Sequence, residues 1–396
     1  MEQAARFKQA LPWVMLLSIM FFVNYTNRSI FGPLLVYIEA DLGLNHSQTT
    51  GLLLYLSIGF TVSMALSSFV AARVYPLYLI SISVCGSGLC LIAISQAHSV
   101  TAFTVLLIML GAVAGLYMTS AMATMGTIIQ PQLWTKSLAL HELAPPLSFI
   151  LGPLIAEAGV ALGGSWRGAV IMMGCVSLVM SVVFVLTERG GRQKTNPPSL
   201  GGLKEALSMP ILWFFAWSMA IGVVGEFVPY NILPLHLTFE RGLSPDDANK
   251  LLSITRLLCP VAVLAGGFLT PRIGVRRTIQ LFFSIQGATL IMTGLPWFGL
   301  ALTGMFIQPL IAPFAFPAIF TMVTERIPLA QHPIIFGLAV PIGSCIGLGI
   351  VPKFMGIMGD HLSFSLGFMV LGVICFAGLP FCRLLRSTPK LPPNPA

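Results

Sequence analysis

Charge is scarce in this sequence: Asp, Glu, Lys and Arg make up 9% of its 396 residues, where a soluble domain carries about 25%. So little polar surface cannot wet a water-soluble globule of this size. Paired cysteines are lacking too. The seven cysteines fall within or at the ends of apolar runs, none at metal-ligand spacing, and they read as small apolar packing residues. There is no Walker loop, which argues against ATP-driven transport by this chain alone. No H-E-x-x-H pair and no G-x-S-x-G elbow is present, so an integral-membrane enzyme has no nucleophile or metal set to stand on, and no cofactor or metal is expected. The first apolar stretch is far longer than a signal h-region and is followed by no small-residue cleavage site, so a cleavable signal peptide is not expected either.

What the chain has is apolar length. Hydrophobic residues make up 56% of it, and the runs 11–37, 100–127 and 362–382 are nearly uninterrupted. A bilayer-spanning helix needs about 20 such residues. The pattern predicts twelve helices, at 11–38, 47–70, 76–96, 101–128, 136–161, 166–187, 209–237, 247–270, 275–294, 297–322, 334–356 and 362–383. The long polar connection 188–208, rich in Gly and Pro, reads as a linker. It separates an N-terminal six-helix bundle, 1–187, from a C-terminal one, 209–396. With the N-terminus in the cytoplasm, fifteen basic residues fall on the inner side and four on the outer, a strong positive-inside bias. Both termini are therefore expected in the cytoplasm, with the chain integral to the cell's inner membrane. The same loop placement assigns the net charge of +8 to the lipid bilayer and not to nucleic acid.

The halves repeat. Asp41-Leu42-Gly43-Leu44 corresponds to Glu240-Arg241-Gly242-Leu243, and Arg73 to Arg272, both at an offset of 199 residues. Related halves are a mark of secondary transporters, whose binding sites lie near midplane where the repeats meet.

Gly267-Phe-Leu-Thr-Pro-Arg272-Ile-Gly274-Val-Arg276-Arg277 resembles the loop motif G-x-L-x-D-R-x-G-R-R of the major facilitator superfamily, with Pro271 at the Asp position. The first-half copy keeps Arg73 and lacks the Gly and Asp. Asn24-Tyr25-Thr26-Asn27-Arg28 resembles the N-Y-x-D-R of the organic-anion symporters in that superfamily, with Asn27 in place of Asp. Pro146 and Gly152-Pro153 resemble part of the helix 5 antiporter motif. The resemblance covers nearly the whole chain. It implies an all-α fold of two pseudo-symmetric bundles around a central cavity, alternating access, a gating role for the loop motif, and a monomer.

Charges inside spans need a partner or water, because an ionised side chain at the bilayer centre costs roughly 2.5–3.5 kcal/mol on insertion scales. Counted from the outer ends of their helices, Arg28, Arg256 and Glu226 lie about 15, 14 and 17 Å deep at 1.5 Å per residue. Arginine pairs bidentately with carboxylates and stays charged. Arg28 and Arg256 are thus candidates for holding a small-molecule anion, with Glu226 a candidate for carrying protons; the alternative is that Glu226 simply pairs with an arginine. Asn24, Tyr25, Asn27, Tyr117, Tyr230, Asn231 and Gln308 are candidate hydrogen-bond partners for the substrate, and each could equally serve packing. His141 and Glu142 form either a proton station, since His titrates near neutral pH, or a gate pair. Glu157 is expected to be solvated, and Glu325 with Arg326 to form a loop ion pair.

The leading expectation is proton-coupled movement of a small organic anion such as a carboxylate. The alternative is proton-antiport efflux of drugs or amphipathic metabolites; two arginines at cavity depth argue against a purely cationic drug. Prolines in helix 5 (Pro145, Pro146, Pro153) and helix 10 (Pro309, Pro313, Pro317) predict bent helices there.

Overall fold

In the computed structural model residues 2–130, 133–187, 192–194, 203–328 and 331–387 are described; the expected linker lies largely outside them, at 188–191 and 195–202. Among the described residues there is no strand, and eleven helical segments are long and apolar enough to cross a membrane. In chain order they are α1 (Leu11–Leu42), α2 (His46–Ala71), α3 (Pro76–Ser95), α4 (Val100–Ile128), α5 (Lys136–Gly163), α6 (Trp166–Thr187), α7 (Pro210–Phe239) and α8 (Pro245–Ile273); then, after α9 (Val275–Gly294), α10 (Phe298–Thr324), α11 (Ile334–His361) and α12 (Phe364–Arg383).

The twelfth expected span, α9, is a helix of 20 residues, long enough for a bilayer core of about 30 Å. It is less apolar than the other eleven because Arg276, Arg277, Gln280 and Gln286 interrupt it. Its buried face, with Phe282, Phe283 and Leu290, packs along α10 and α12. On α6, Val179, Val182 and Leu186 are 61%, 58% and 79% exposed. Their i, i+3, i+7 spacing lines one face of the helix. An apolar face left outward in this way suits lipid and not water. The protein is an all-α integral membrane protein.

The chain divides into two compact units, Met1–Gly43 with Tyr55–Pro198 and Leu44–Leu54 with Ser199–Ala396. The first turns of α2 thus group with the second unit, where His46 and Ser47 donate their backbone N–H to Asp360 at 2.8 and 2.9 Å.

The internal repeat is structural. Gly43 and Gly242 stand at φ +62° and +73°, the left-handed region that glycine adopts without steric cost, and each ends the first helix of its half. In the first unit Asp41 accepts from Trp166 Nε1 at 3.0 Å and from Arg167, at the start of α6. In the second, Glu240 accepts from the Phe364 N–H and from Ser365, at the start of α12. A Cβ on Gly88 would come 2.8 Å from the Gly174 carbonyl, and one on Gly287 would come 2.7 Å from that of Gly372. Helices α3 and α6, like α9 and α12, therefore approach each other through glycine. Gly111 allows an equally close approach of α4 to α2: its Cβ would lie 2.1 Å from the Leu56 carbonyl.

Proline breaks fewer helices than its positions suggest. The α5 segment is interrupted at Glu142–Leu143, before Pro145, but runs through Pro153. Helix α10 is continuous through Pro309, Pro313 and Pro317. Pro313 has no N–H for the Pro309 carbonyl one turn back, and Cys259 Sγ approaches that carbonyl at 3.4 Å instead. In α11 a π-helical turn, Ile346–Ile350, precedes Pro352, a usual accommodation of a lost backbone bond.

Candidate functional site

In the first unit the site is built on α1. Asn24, Tyr25 and Arg28 fall on one face by their three- and four-residue spacing. The Arg28 guanidinium is held between two rings, with its carbon 4.7 Å from the centroid of Tyr25 and 4.1 Å from that of Phe60 on α2. The residue is 8% exposed, and its Nε has no hydrogen-bond partner. Among the described residues no carboxylate pairs with it. Stacking on aromatic faces stabilises a cation by about 0.5–2 kcal/mol, less than a desolvated charge loses.

The neighbours of Arg28 are held by the protein. Asn24 Nδ2 donates to Ser83 Oγ at 2.9 Å, while its Oδ1 has no partner. Asn27 exchanges hydrogen bonds with Ser177 of α6, at 2.8 and 3.1 Å. Tyr117 donates to the Leu17 carbonyl at 2.6 Å and stacks on Phe21 at 5.3 Å. His141 lies on the same ring, at 4.5 Å and 9° between planes, and is fully buried. Its Nε2 is 3.4 Å from Tyr117 Oη and its Nδ1 3.4 Å from Glu142 Oε1. Phe21 meets Tyr25 edge-on at 5.9 Å. Aromatic contacts therefore run unbroken from His141 to Arg28.

In the second unit two side chains converge on successive carbonyls of α7. Pro229 has no N–H, so the Gly225 carbonyl one turn earlier lacks its helical donor. Gln308 Nε2 takes that place at 2.6 Å. Arg256, 1% exposed, donates to the Glu226 carbonyl at 2.8 Å and lies 5.1 Å from the Tyr230 centroid. Glu226 is partly exposed; Tyr230 and Asn231 are buried. Gln286 of α9, which the sequence reading did not single out, is fully buried with neither amide atom partnered. It fills the space that a Cβ on Gly225 would enter. Phe60, Phe21 and Ser177 also escaped the sequence reading, since nothing in an apolar helix tells which residue faces a given neighbour.

Elsewhere Glu157 accepts from Tyr37 Oη at 2.8 and 3.0 Å, so it is engaged within the first unit and not simply solvated. Arg326 pairs with Glu325 at 3.0 Å. In the loop motif Gly274 has φ +89° between α8 and α9, a turn that needs glycine. Arg73, Arg272 and Arg277 are exposed, and a Cβ on Gly267 would meet nothing. Arg276 is partly buried with its Nε unpartnered. All seven cysteines are free thiols. Among the described residues no group of three or more His, Cys, Asp or Glu could hold a metal ion.

Comparison with known proteins places this geometry in context. Residues 17–352 and 218–396 match the family model of the Major Facilitator Superfamily. The hexuronate transporter of Bacillus subtilis (strain 168) is 22% identical over 275 residues, 66% of this chain and 65% of that protein. Protein spinster homolog 3 of Homo sapiens is 24% identical over 225 residues, 52% of this chain and 38% of that protein. Both matches thus span less than two thirds of the relative's own length. Among solved structures, a bacterial homologue of the human lysosomal transporter Spinster, inward-facing and unoccupied, superposes with a TM-score of 0.80 at 14% identity, over 96% of this chain and 98% of that one. A nucleoside transporter superposes with a TM-score of 0.76 at 14% identity, over 94% and 99%. At these identities the structural likeness speaks for the fold.

Proposed function

Since this chain belongs to the Major Facilitator Superfamily, we propose that it is a transporter rather than an enzyme and moves a small organic anion, a carboxylate of the hexuronate kind, by proton-coupled alternating access. One observation carries this reading: a buried arginine, Arg28, with two aromatic faces against it and no carboxylate among its described neighbours. A carboxylate would supply both the missing charge and acceptors for the guanidinium fork. Arg256 is the second proposed anion contact. The unpartnered Oδ1 of Asn24 is suited to accept from a substrate hydroxyl, and Tyr25, Asn27, Tyr117, Tyr230, Asn231 and Gln308 complete the proposed polar surroundings. The match to a transporter of hexuronates, which carry one carboxylate and several hydroxyls, supports an anion over a cationic drug.

Protons are the proposed coupling ion, with His141, Glu142 and Glu226 as the groups able to carry them. Arg73, Gly267, Arg272, Gly274, Arg276 and Arg277 are proposed to serve gating. The protein is proposed to act as a monomer in the inner membrane, with its termini cytoplasmic as the distribution of basic residues favours.

Proteoliposome uptake under an imposed pH gradient, across a panel of carboxylates and cationic dyes, tests the reading. Accumulation of a hexuronate from the acidic side, lost in Arg28→Ala, is the expected result. Unchanged affinity in both Arg28→Ala and Arg256→Ala, or extrusion of dye without carboxylate uptake, overturns it.

A further inference from the structure

The His141–Glu142 pair contains a place for one exchangeable proton. The Tyr117 hydroxyl proton is committed to the Leu17 carbonyl at 2.6 Å. Tyr117 Oη therefore faces His141 Nε2 as an acceptor at 3.4 Å, and Glu142 Oε1 faces Nδ1 as a second acceptor, also at 3.4 Å. A neutral imidazole carries one N–H, so in either tautomer one ring nitrogen turns a lone pair toward an acceptor. One further proton on the ring gives both acceptors a donor and makes the hydrogen bond to Glu142 charge-assisted. Glu142 is 37% exposed while His141 is 0% exposed, so the carboxylate can relay a proton between water and the buried ring.

The same ring is linked to Arg28 by the aromatic contacts through Phe21 and Tyr25. The imidazole lies flat on Phe21, whose π face favours a cation, and Phe21 is seven residues from Arg28 on α1, about 10 Å along the axis. Among the described residues Tyr117 on α4 and Glu142 on its own segment face His141 directly; Tyr25 and Arg28 lie further along α1 beyond Phe21, Lys136 is exposed in the first turn of α5, and Tyr37, Glu39 and Asp41 on α1 and Glu157 on α5 lie toward the other ends of those helices. Arg28 and an imidazolium repel in this low-dielectric setting. A bound anion that neutralises Arg28 lifts that repulsion.

We infer that His141, with Glu142 as its relay and Tyr117 as the second acceptor that the protonated ring satisfies, takes up the co-transported proton in the first unit, and that anion and proton favour one another there through Arg28. The inference rests on the anion reading above and names the group that couples it. Two charges at this separation couple by roughly tenfold, and the effect is reciprocal: the proton tightens the anion as much as the anion tightens the proton.

The test uses full-length protein in proteoliposomes, a hexuronate as the probe, and His141→Gln, whose amide keeps a donor toward Tyr117 but takes no further proton. The expected result is that the variant exchanges hexuronate at equal pH on the two sides but no longer accumulates it on a pH gradient. The roughly tenfold tightening of wild-type hexuronate binding on acidification should flatten. Accumulation equal to wild type in the variant overturns the inference. Should His141→Gln not fold, His141→Asn takes its place. Nitrogen NMR of histidine-labelled wild-type protein needs no transported anion: the His141 signal should report a second ring proton gained on acidification, and an unchanged protonation state overturns the inference. Titration of His141 in a protein that exchanges no carboxylate supports the proton site while sinking the anion reading.

Discussion

Asp41 and Glu240, 199 residues apart, do the same work in their separate units: each ends the first helix of its half and grips the first turn of the last one, Asp41 at Trp166 and Arg167, Glu240 at Phe364 and Ser365. The sequence repeat is thus a repeat of contacts. The donors differ: Glu240 satisfies backbone N–H groups that the helix start leaves orphaned, Asp41 is held by side-chain donors, and either carboxylate complements the dipole at a helix N-terminus.

The Glu240 grip carries a definite pH signature. Burial alone would push its carboxyl up; the hydrogen bonds from His236, Ser365 and the Phe364 N–H, with the charge of His236, outweigh burial and hold it at about 2 against an ordinary 4.5. A depressed carboxylate contributes stability that is present above about 4.5 and lost as pH falls through about 2. Glu240→Gln should lower stability by about 1–3 kcal/mol near neutral pH. The gap to wild type should close between pH 4.5 and 2. Thermal unfolding in detergent across that range measures it; a constant gap would show the grip is not electrostatic.

The Gln308–Gly225 contact predicts a compensating pair. Gln308→Leu leaves the Gly225 carbonyl buried without a donor, at a cost of about 1–3 kcal/mol. Pro229→Ala returns the backbone N–H to that carbonyl. The double variant should therefore be more stable than the sum of the single effects implies, by about 1 kcal/mol or more. Additive unfolding free energies would mean the carbonyl is satisfied some other way.

Arg28→Lys keeps the charge and loses the planar fork and its stacking between Tyr25 and Phe60. Hexuronate affinity is expected to fall by roughly tenfold or more, with protein yield and unfolding temperature close to wild type. Binding calorimetry on the purified variant decides; affinity matching wild type would reduce Arg28 to a point charge.

The spans were legible because each is a long apolar run, and the repeat because Asp41-Leu42-Gly43-Leu44 and Glu240-Arg241-Gly242-Leu243 mark the ends of helices, where chemistry is local. Arg28 was legible as a charge in an apolar setting. Its enclosure by Phe60 was not, nor was the pairing of Asn27 with Ser177. A helix that is hydrophobic all round does not announce which way it is rotated, so partners across helices stay hidden even when depth is readable. Helix α9 shows the converse: Arg276, Arg277, Gln280 and Gln286 make it more polar than its neighbours, although it is long enough to cross.

The Gly225 carbonyl, bonded by a side chain from α10 where α7's own backbone should bond it, ties two neighbouring rods crosswise at the point where one of them is weakest. A hinge at Pro229 cannot open without pulling Gln308 along. Any bending of the second unit at that level must then involve α7 and α10 as a pair, and freezing either one should arrest the other.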